Sequence, residues 1–496
     1  MTFFLALDQG TSSSRALLFD EAGEIRAAGR KELAVRYPRP GRVEQDAMEI
    51  WATQRAAAEA ALAEAGIGAS EVAAIGLTNQ RETTVVWERA SGSPIAPAIV
   101  WQDRRTADRC ESLAAHGLAE TIRAKTGLRL DPYFSATKIA WILDHVEGAR
   151  RRAERGELAF GTVDSWIVRQ LTGGRVHATD VTNAARTLLF DIGRLDWDDE
   201  LLDLFAIPRA LLPEVRPSAA RFGTARLGGG EIEILGVAGD QPSALLGQHC
   251  REAGEVKNTY GTGAFVVMHT GSTRRDGEGL IAGPVCSLPG EATAYGLEGS
   301  IFVAGALVQW LRDGLGLIEQ AAEVEALARK VPDSGGVTIV PAFAGLGAPF
   351  WDPAARGTIL GLSRGTTAAH LARASLEAMA FRTRDVIEAM QVAVDKPIER
   401  LRVDGGASAN DLLLQIQADL LGVPIVRPRV TETTAMGAAM LAAAGSGALD
   451  AEALAAWQPA NEEFVPQLAH DEREARYRQW RRACERARGW ATEEGE

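Results

Sequence analysis

Several apolar runs in this 496-residue chain end in residues that can bind phosphate or exchange protons. In LALDQGTSSSR, from Leu5 to Arg15, Asp8 and a glycine precede four consecutive hydroxyl residues. Two apolar runs joined by a Gly/Ser/Thr cluster predict a β-hairpin. The same composition suits a loop whose N–H groups and hydroxyls hold phosphate. Both interpretations stay open from this stretch alone.

Two later runs end in side chains suited to a polyhydroxy ligand. VAAIGLTNQ leads into Arg81 and Glu82, and EIEILGVAGD ends in Asp240, followed by Gln241. Adjacent residues of a strand point to opposite faces, so Arg81 and Glu82 can share one small ligand only if the chain turns there. The alternative for this dipeptide is a surface ion pair. A carboxylate at a strand end, such as Asp240, can accept the proton of an attacking hydroxyl.

The elements that must position these residues occur twice, in the same order. GEVKNTYGTGAFVVMHTG, residues 254–271, repeats the run–turn–run pattern, and its Gly261-Thr262 parallels Gly10-Thr11. In both halves a long helix-like segment and a further apolar run follow. Strands alternating with helices predict α/β domains with parallel strands and ligand sites at the carboxyl ends. The chain is therefore predicted to be an internal duplication, residues 1–248 and 249–496, with a cleft between the halves.

Composition excludes several classes of protein. The net charge of −13 argues against nucleic acid as a partner, because that binding depends on basic surfaces. Four scattered cysteines argue against a disulfide framework and structural zinc. The opening MTFFLALDQG lacks the cationic region of a secretory signal, and no stretch has the apolar length of a membrane span. We expect a cytoplasmic protein that binds no membrane.

Six motifs together resemble the glycerol kinase family: DQGTSSSR, NQRET, WQDRR, NTYGTGAF, PAFAGLGAPFWDPAARG and VDGGASANDLLLQIQADLLG. This family belongs to the sugar and polyol kinases with the actin/Hsp70-type ATPase fold. The resemblance implies two duplicated ribonuclease-H-like, actin-like domains. It also implies ATP- and Mg²⁺-dependent phosphorylation of glycerol to sn-glycerol 3-phosphate, with an aspartate as general base. Neither a P-loop nor a protein-kinase signature is present in the sequence.

On the nucleotide side, the resemblance implies that Thr11, Ser12 and Ser13 contact the terminal phosphates and that Thr262 holds phosphate from the opposite half. Arg15 would stabilise developing charge, and Asp8 would bind Mg²⁺ together with Asp240; a turn-capping role is the alternative for Asp8. The nucleotide pocket would be lined by Gly305, Gln309, Gly406 and Asn410. The alternatives are a helix-packing glycine at 305 and an exposed glutamine at 309. Asn410 is expected one turn into a helix, with its amide facing the adenine.

On the acceptor side, the resemblance implies substrate contacts from Arg81, Glu82, Trp101, Tyr133, Asp240, Gln241 and Phe265. The aromatic residues would enclose a three-carbon skeleton, although large aromatic residues more often belong to a core. We expect glycerol and ATP as partners and a homodimer or homotetramer, and leave a regulatory protein partner open. The rival functions are a kinase of a pentulose or four-carbon polyol and a non-catalytic, Hsp70-like nucleotide-dependent binding protein.

The last predicted element is a helix in EREARYRQWRRACERARGW. Tyr477, Trp480, Cys484 and Ala487 follow helical spacing and are predicted to form one buried face. A docked terminal helix with a solvated basic face is the simpler interpretation, and a regulatory surface is the alternative.

Overall fold

The computed structural model describes residues 2–457 and 461–491. Two mixed β-sheets organise it. The first sheet contains β1 (Phe3–Gln9), β2 (Ser13–Asp20), β3 (Ile25–Glu32), β4 (Val72–Asn79), β5 (Gly223–Leu227) and β6 (Gly230–Gly239), in the order β5-β6-β4-β1-β2-β3. The second contains β7 (Val256–Tyr260), β8 (Ala264–Gly271), β9 (Ile281–Val285), β10 (Ala294–Ile301), β11 (Leu401–Asp404), β12 (Ile425–Pro428) and β13 (Asn461–Phe464), in the order β9-β10-β8-β7-β11-β12-β13.

The two sheets share one topology, which confirms the predicted duplication. In the first, β1 pairs antiparallel with β2 and parallel with β4, and β4 pairs parallel with β6. In the second, β7 pairs antiparallel with β8 and parallel with β11, and β11 pairs parallel with β12. The predicted hairpin at the start of each half is therefore confirmed. Each sheet is mixed because its hairpin adds antiparallel strands to a parallel centre.

Seven helices matter for the site: α1 (Ala47–Ala65), α2 (Asp240–Gly247), α3 (Gly305–Gln309), α4 (Ala368–Val394), α5 (Asp411–Leu421), α6 (Thr433–Gly445) and α7 (His470–Ala487). Local chemistry sets their ends. Asp46 caps α1 by accepting a hydrogen bond from the Met48 N–H at 2.8 Å, and Gly66 ends it in the left-handed conformation. The predicted long helices of both halves, α1 and α4, are confirmed.

Helix α2 of the first half and helix α6 of the second half pack against each other. Helix α6 lies in the second half of the chain but packs on β1, β4 and β6 of the first sheet. Small residues allow a close crossing, since a Cβ on Gly437 would lie 1.9 Å from the Ser243 carbonyl and one on Gly247 would lie 2.0 Å from that of Thr433. The two halves are thus joined by direct helix–helix packing.

The remaining elements are short, and many of them belong to a segment inserted between β4 and β5. The helices are Ala107–Ala115, Ala119–Thr126, Ser135–His145, Ala149–Glu154, Val163–Leu171, Val181–Ala184, Asp199–Phe205, Glu323–Ala328 and Ala451–Ala455, with a π-helical turn at Trp310–Gly314 and 3₁₀ turns at Ala69–Glu71, Arg209–Leu211 and Gly406–Ala409. The strands are Glu44–Gln45, Val85–Glu88, Ala98–Ile99, Leu158–Gly161, Ala178–Asp180, Phe190–Asp191, Asp196–Trp197, Glu214–Arg216, Thr338–Val340 and Thr358–Leu360.

Terminal helix α7 buries the predicted face. Tyr477, Trp480, Cys484 and Ala487 are all buried. The phenol of Tyr477 and the indole N–H of Trp480 both donate to the Asp385 carboxylate of α4, at 2.9 and 3.1 Å. Within residues 2–457 and 461–491, no helix combines the length and apolar character needed to cross a membrane.

Candidate active site

The carboxyl ends of the parallel strands bring the predicted residues of each half together. In the first sheet, β1 ends one residue after Asp8, β4 ends just before Gln80 and Arg81, and β6 ends directly before Asp240. Because parallel strands end at the same edge, the side chains of Asp8, Arg81 and Asp240 meet there. In the second sheet, β7 and β11 lead at the equivalent edge into Gly261-Thr262 and Gly405-Gly406.

The first hairpin holds a charged pair at its mouth. Asp8 and Arg15 are register partners on β1 and β2, and Arg15 Nη2 lies 2.5 Å from Asp8 Oδ2. Arg15 also forms a salt bridge to Glu432, at the start of α6. Burial raises the pKa of Asp8, although Arg15 opposes this; the charges of Glu432 and Asp240 add to the increase. Asp8 therefore lies close enough to Asp240 for their charges to interact.

The hydroxyl residues form the turn of this hairpin. Gly10 N–H donates to the Ser13 carbonyl at 3.0 Å, which closes the turn. Thr11 Oγ1 accepts a hydrogen bond from the indole of Trp101 at 3.0 Å. Ser12 is exposed, and Ser13 is half-buried at the start of β2. Thr11 thus links the turn to the aromatic residues of the predicted acceptor site.

The chain turns at Arg81 and Glu82, as their shared role requires. Glu82 has φ of 59°, a left-handed conformation that is uncommon for residues other than glycine. Arg81 Nε lies 2.9 Å from Asp240 Oδ1, and its two terminal nitrogens donate to the Glu298 carboxylate at 2.7 and 3.0 Å. Burial opposes the charge of Arg81, but Glu298, Asp240 and Glu82 raise its pKa well above the ordinary value. Arg81 is therefore a buried, permanent cation.

Glu82 has its own buried partner, Arg186. Arg186 Nε donates to Glu82 at 2.5 Å, and its Nη2 donates to Glu298 at 3.2 Å. Burial raises the pKa of Glu82 despite these cations. Burial would also raise the pKa of Glu298, but Arg186 and Arg81 outweigh it and lower the pKa to about 2. The result is a continuous chain of buried charges beneath the site.

Three predicted aromatic residues lie together beside these charges. The ring centroids of Trp101 and Tyr133 are 5.6 Å apart, and those of Trp101 and Phe265 are 6.5 Å apart, both edge-to-face. Phe265 comes from β8 of the second sheet, so both halves contribute to this group. Lys138 Nζ donates to the Tyr133 carbonyl at 2.7 Å and the Trp101 carbonyl at 3.4 Å. Burial lowers the pKa of Lys138 to about 8.

Asp240 begins helix α2, with its side chain about one-third exposed. Gln241 is buried beside it, and its side-chain oxygen accepts a hydrogen bond from the buried Lys257. Lys257 also donates to Thr259 Oγ1 at 2.7 Å, and burial lowers its pKa. Because the side-chain oxygen of Gln241 accepts from Lys257, the amide nitrogen of Gln241 is the end that can donate to a ligand.

The second hairpin is tied to the start of α3. Gly305 N–H donates to the Gly261 carbonyl at 3.0 Å, and Ala306 N–H donates to the Thr262 carbonyl at the same distance. A Cβ on Gly305 would lie 2.6 Å from the Gly261 oxygen, so close packing requires glycine here. Thr262 and Gln309 are both exposed. Close packing against the second hairpin therefore explains why residue 305 is a glycine, and its contact with the nucleotide stays a prediction.

The last predicted pair requires one correction. Gly405, with φ of 82°, packs closely on β7, since a Cβ there would lie 2.4 Å from the Tyr260 carbonyl. At Gly406 a Cβ would meet nothing within 4 Å, and its contact with the nucleotide stays a prediction. The expectation that Asn410 lies one turn into a helix is wrong. A 3₁₀ turn over Gly406–Ala409 intervenes, and Asn410 is the N-cap of α5, accepting from Leu413 N–H at 2.8 Å.

Four further charged residues contact the predicted set without being predicted from the sequence. They are Lys138, Arg186, Lys257 and Glu298. Glu298 carries a signal of its own, as the one acidic residue in the strand AYGLEGSI, where it follows leucine and precedes glycine. A lone carboxylate within a buried strand requires a buried cation as partner. The sequence does not say which one.

Comparison with known proteins assigns the family. Residues 3–247 match the N-terminal domain of the FGGY family of carbohydrate kinases, and residues 256–446 match its C-terminal domain. The chain belongs to the FGGY family of carbohydrate kinases. Within it, the chain is 57% identical to a glycerol kinase of Citrifermentans bemidjiense, with 99% of each chain covered. It is 58% identical to a glycerol kinase of Trichlorobacter lovleyi, over 99% of this chain and 100% of that one.

Solved structures of a glycerol kinase and a xylulose kinase share the fold. The crystal structure of Plasmodium falciparum glycerol kinase with ADP is 31% identical, with a TM-score of 0.91 and 98% of both chains covered. A xylulose kinase from Rhodospirillum rubrum is 25% identical, with a TM-score of 0.84 and 97% and 98% covered. The predicted resemblance to the glycerol kinases and the predicted two-domain, actin-like fold are therefore confirmed.

Proposed function

We propose that this FGGY kinase transfers the γ-phosphoryl group of ATP to glycerol and forms sn-glycerol 3-phosphate. Its identity of 57–58% with proteins named glycerol kinase, over nearly the whole chain, is the observation that carries the proposal. The geometry agrees with it. A cation, two carboxylates and three aromatic rings surround one edge of the first sheet, which suits a small ligand with several hydroxyls.

Each acceptor-side residue has a role in this proposal. Arg81 donates to the hydroxyls of glycerol and Glu82 accepts from them, while Gln241 donates through its amide nitrogen. Trp101, Tyr133 and Phe265 enclose the carbon skeleton. Asp240 accepts the proton of the attacking hydroxyl, since it is the partly exposed carboxylate of the group. These contacts position the nucleophile, which is the main demand of phosphoryl transfer.

The nucleotide lies on the other side of the proposed reaction centre. Thr11, Ser12 and Ser13 contact its terminal phosphates from the first half, and Thr262 from the second. Arg15 stabilises the charge that spreads over the transferred group. The nucleoside is held by Gly305, Gln309, Gly406 and Asn410. In this proposal residues 1–248 carry the polyol site and one phosphate loop, and residues 249–496 carry the nucleotide site.

The carboxylates of Asp8 and Asp240 suit Mg²⁺. Their charges interact, both offer oxygen ligands, and the described residues contain no group of three or more His, Cys, Asp or Glu that could hold a metal by itself. Mg²⁺ commonly binds through one or two carboxylates plus substrate phosphates and waters. When bound, the ion would neutralise phosphate charge. We also propose a cytoplasmic homodimer or homotetramer.

An ADP-release assay tests the proposal. Purified protein with MgATP should release ADP rapidly when glycerol is added and slowly without it. Dihydroxyacetone, erythritol and xylulose form the comparison set, and glycerol should give the highest kcat/KM. A higher value for xylulose or erythritol would identify a different carbohydrate kinase, and ADP release independent of any acceptor would favour a nucleotide-dependent binding protein.

A further inference from the structure

Glu298 reaches the acceptor site from the other half of the chain. It lies on β10 of the second sheet, yet its carboxylate accepts hydrogen bonds from both terminal nitrogens of Arg81, at 2.7 and 3.0 Å. It also accepts from Arg186 at 3.2 Å, and Arg186 in turn holds Glu82. Two residues expected to bind the acceptor's hydroxyls therefore depend on Glu298: Arg81 directly, and Glu82 through Arg186.

Every nitrogen of the Arg81 guanidinium has a carboxylate beside it. A guanidinium has five N–H donors, one on Nε and two on each terminal nitrogen. Arg81 Nε forms a salt bridge to Asp240 at 2.9 Å, and each terminal nitrogen donates one hydrogen bond to Glu298. Each terminal nitrogen keeps a second N–H, and these two donors match neighbouring hydroxyls of a small polyol. The fork that would bind a carboxylate or phosphate in bidentate fashion is already filled by protein.

The charges of the buried cluster also balance. Positive charge comes from Arg81 and Arg186, from Lys138 beside Glu82, and from Lys257. Lys257 interacts electrostatically with Asp404, Asp240 and Glu298. Negative charge comes from Glu82, Asp240, Glu298 and Asp404, so this group holds four charges of each sign. Removal of the Glu298 charge would leave one positive charge uncompensated beside the acceptor, where burial strengthens electrostatic interactions.

We propose that Glu298 is a specificity-determining residue that restricts the acceptor site to uncharged polyols and favours release of the phosphorylated product. This inference rests on the proposed function. The reaction converts a neutral triol into a phosphomonoester dianion next to Arg81. An uncompensated arginine would bind that dianion, or a three-carbon hydroxy acid, more tightly than glycerol. Glu298 prevents this by neutralising Arg81 and occupying its fork.

The test measures direct binding by calorimetry, so that it does not depend on turnover. Glycerol, D-glycerate and glycerol 3-phosphate are titrated into the wild type and the Glu298→Gln variant. The variant keeps the side-chain size but loses the charge. We expect glycerol to bind about tenfold more weakly, and both anions about tenfold more tightly, as for the loss of one close charge pair. A merely structural role would weaken all three ligands together.

Two further variants separate charge from geometry. Glu298→Asp keeps the charge and shortens the reach, so the preference for glycerol over D-glycerate should stay near the wild-type ratio even if both bind more weakly. Arg186→Gln removes a cation, so anion binding should weaken; this variant carries the test if Glu298→Gln does not fold. The matched control is Glu377→Gln, because Glu377 is another buried glutamate, paired with Arg373 at 3.0 Å within α4. All three ligands should bind the control as they bind the wild type.

Unchanged or weaker anion binding by folded Glu298→Gln would overturn the inference, as would tighter anion binding by Arg186→Gln. Failure of the proposed function has a different signature. A wild-type protein that binds no glycerol and releases no glycerol-dependent ADP contradicts the proposed function, whereas normal glycerol phosphorylation with unaltered anion affinities in the variants contradicts the role of Glu298 alone.

Discussion

The Asp240 carboxylate lies 2.9 Å from Arg81 Nε and keeps about a third of its side chain exposed. Both features matter for a general base, which must be charged and must reach the substrate hydroxyl. Asp240→Asn should therefore lower kcat by about 10²–10⁴-fold, the usual contribution of general-base catalysis. The KM for glycerol should change only a few-fold, because asparagine keeps the size of the side chain and an oxygen beside Arg81. Steady-state kinetics with varied glycerol measures both constants.

The control for this substitution is Asp196→Asn. Asp196 is an exposed carboxylate that pairs with Arg209 at 3.3 Å, outside the candidate site. Its kinetics should match those of the wild type. If Asp240→Asn retains near-normal kcat, Asp240 is not the base, and Asp8 becomes the carboxylate to test.

For single residues, the sequence predicts those that belong to a motif, but not the residues that form ion pairs and hydrogen bonds with them. Arg81, Glu82 and Asp240 follow strand-like runs, so their position at a strand end can be predicted. Glu298 and Arg186 cannot be predicted in this way, since their partners lie 217 and 104 residues away along the chain. Tertiary packing decides which buried charges meet, within the first half for Arg186 and between the halves for Glu298.

Helices α2 and α6 offer a test at the scale of single elements. Gly437 lies inside α6, where replacement by alanine would normally stabilise a helix by about 1 kcal/mol. Here the added Cβ would lie 1.9 Å from the Ser243 carbonyl of α2. We therefore expect Gly437→Ala to destabilise the protein by about 2–3 kcal/mol, in the range of overpacked cores. Urea unfolding followed by circular dichroism measures the change.

Gly68→Ala provides the comparison for Gly437→Ala. Gly68 has φ of −94°, which any residue adopts, and a Cβ there would have its nearest contact at 4.0 Å. Its free energy of unfolding should stay within about 0.5 kcal/mol of the wild type. Equal or greater stability of Gly437→Ala would mean that the two helices do not cross as closely as described.

The same helices mark the limit of sequence-based prediction for elements. TAMGAAMLAAAG indicates a helix, and its small residues are typical of close packing, so α6 itself is predictable. Its packing on the sheet of the opposite half cannot be predicted. Every face of the helix is apolar, so no polar stripe shows which face is buried against which sheet. Asn410 illustrates the same limit at a boundary, where spacing alone could not distinguish a capping position from the first turn.

At the scale of the whole molecule, the two halves make contacts of different kinds. The α2–α6 crossing is tightly packed, whereas edge hydrogen bonds link the inserted segment to the second sheet. Ala282 N–H donates to the Gly127 carbonyl at 3.1 Å, and the Tyr295 hydroxyl donates to the Ile192 carbonyl at 2.8 Å. If the halves move, we expect the crossing to act as the pivot and the edge contacts to break and re-form.

The proposed reaction requires such a movement, because both halves contribute to the proposed acceptor and nucleotide sites and phosphoryl transfer must exclude water. Small-angle scattering should therefore show a smaller radius of gyration with glycerol plus a nonhydrolysable ATP analogue than without ligands. Asp240→Asn should contract equally, since it keeps the size of the side chain and the other contacts of both proposed binding sites. Calorimetry under the same conditions establishes that both ligands are bound. An unchanged radius of gyration in the doubly bound wild type would mean that the halves keep a fixed separation, and that water is excluded by local closure of the Thr11 and Thr262 hairpins instead.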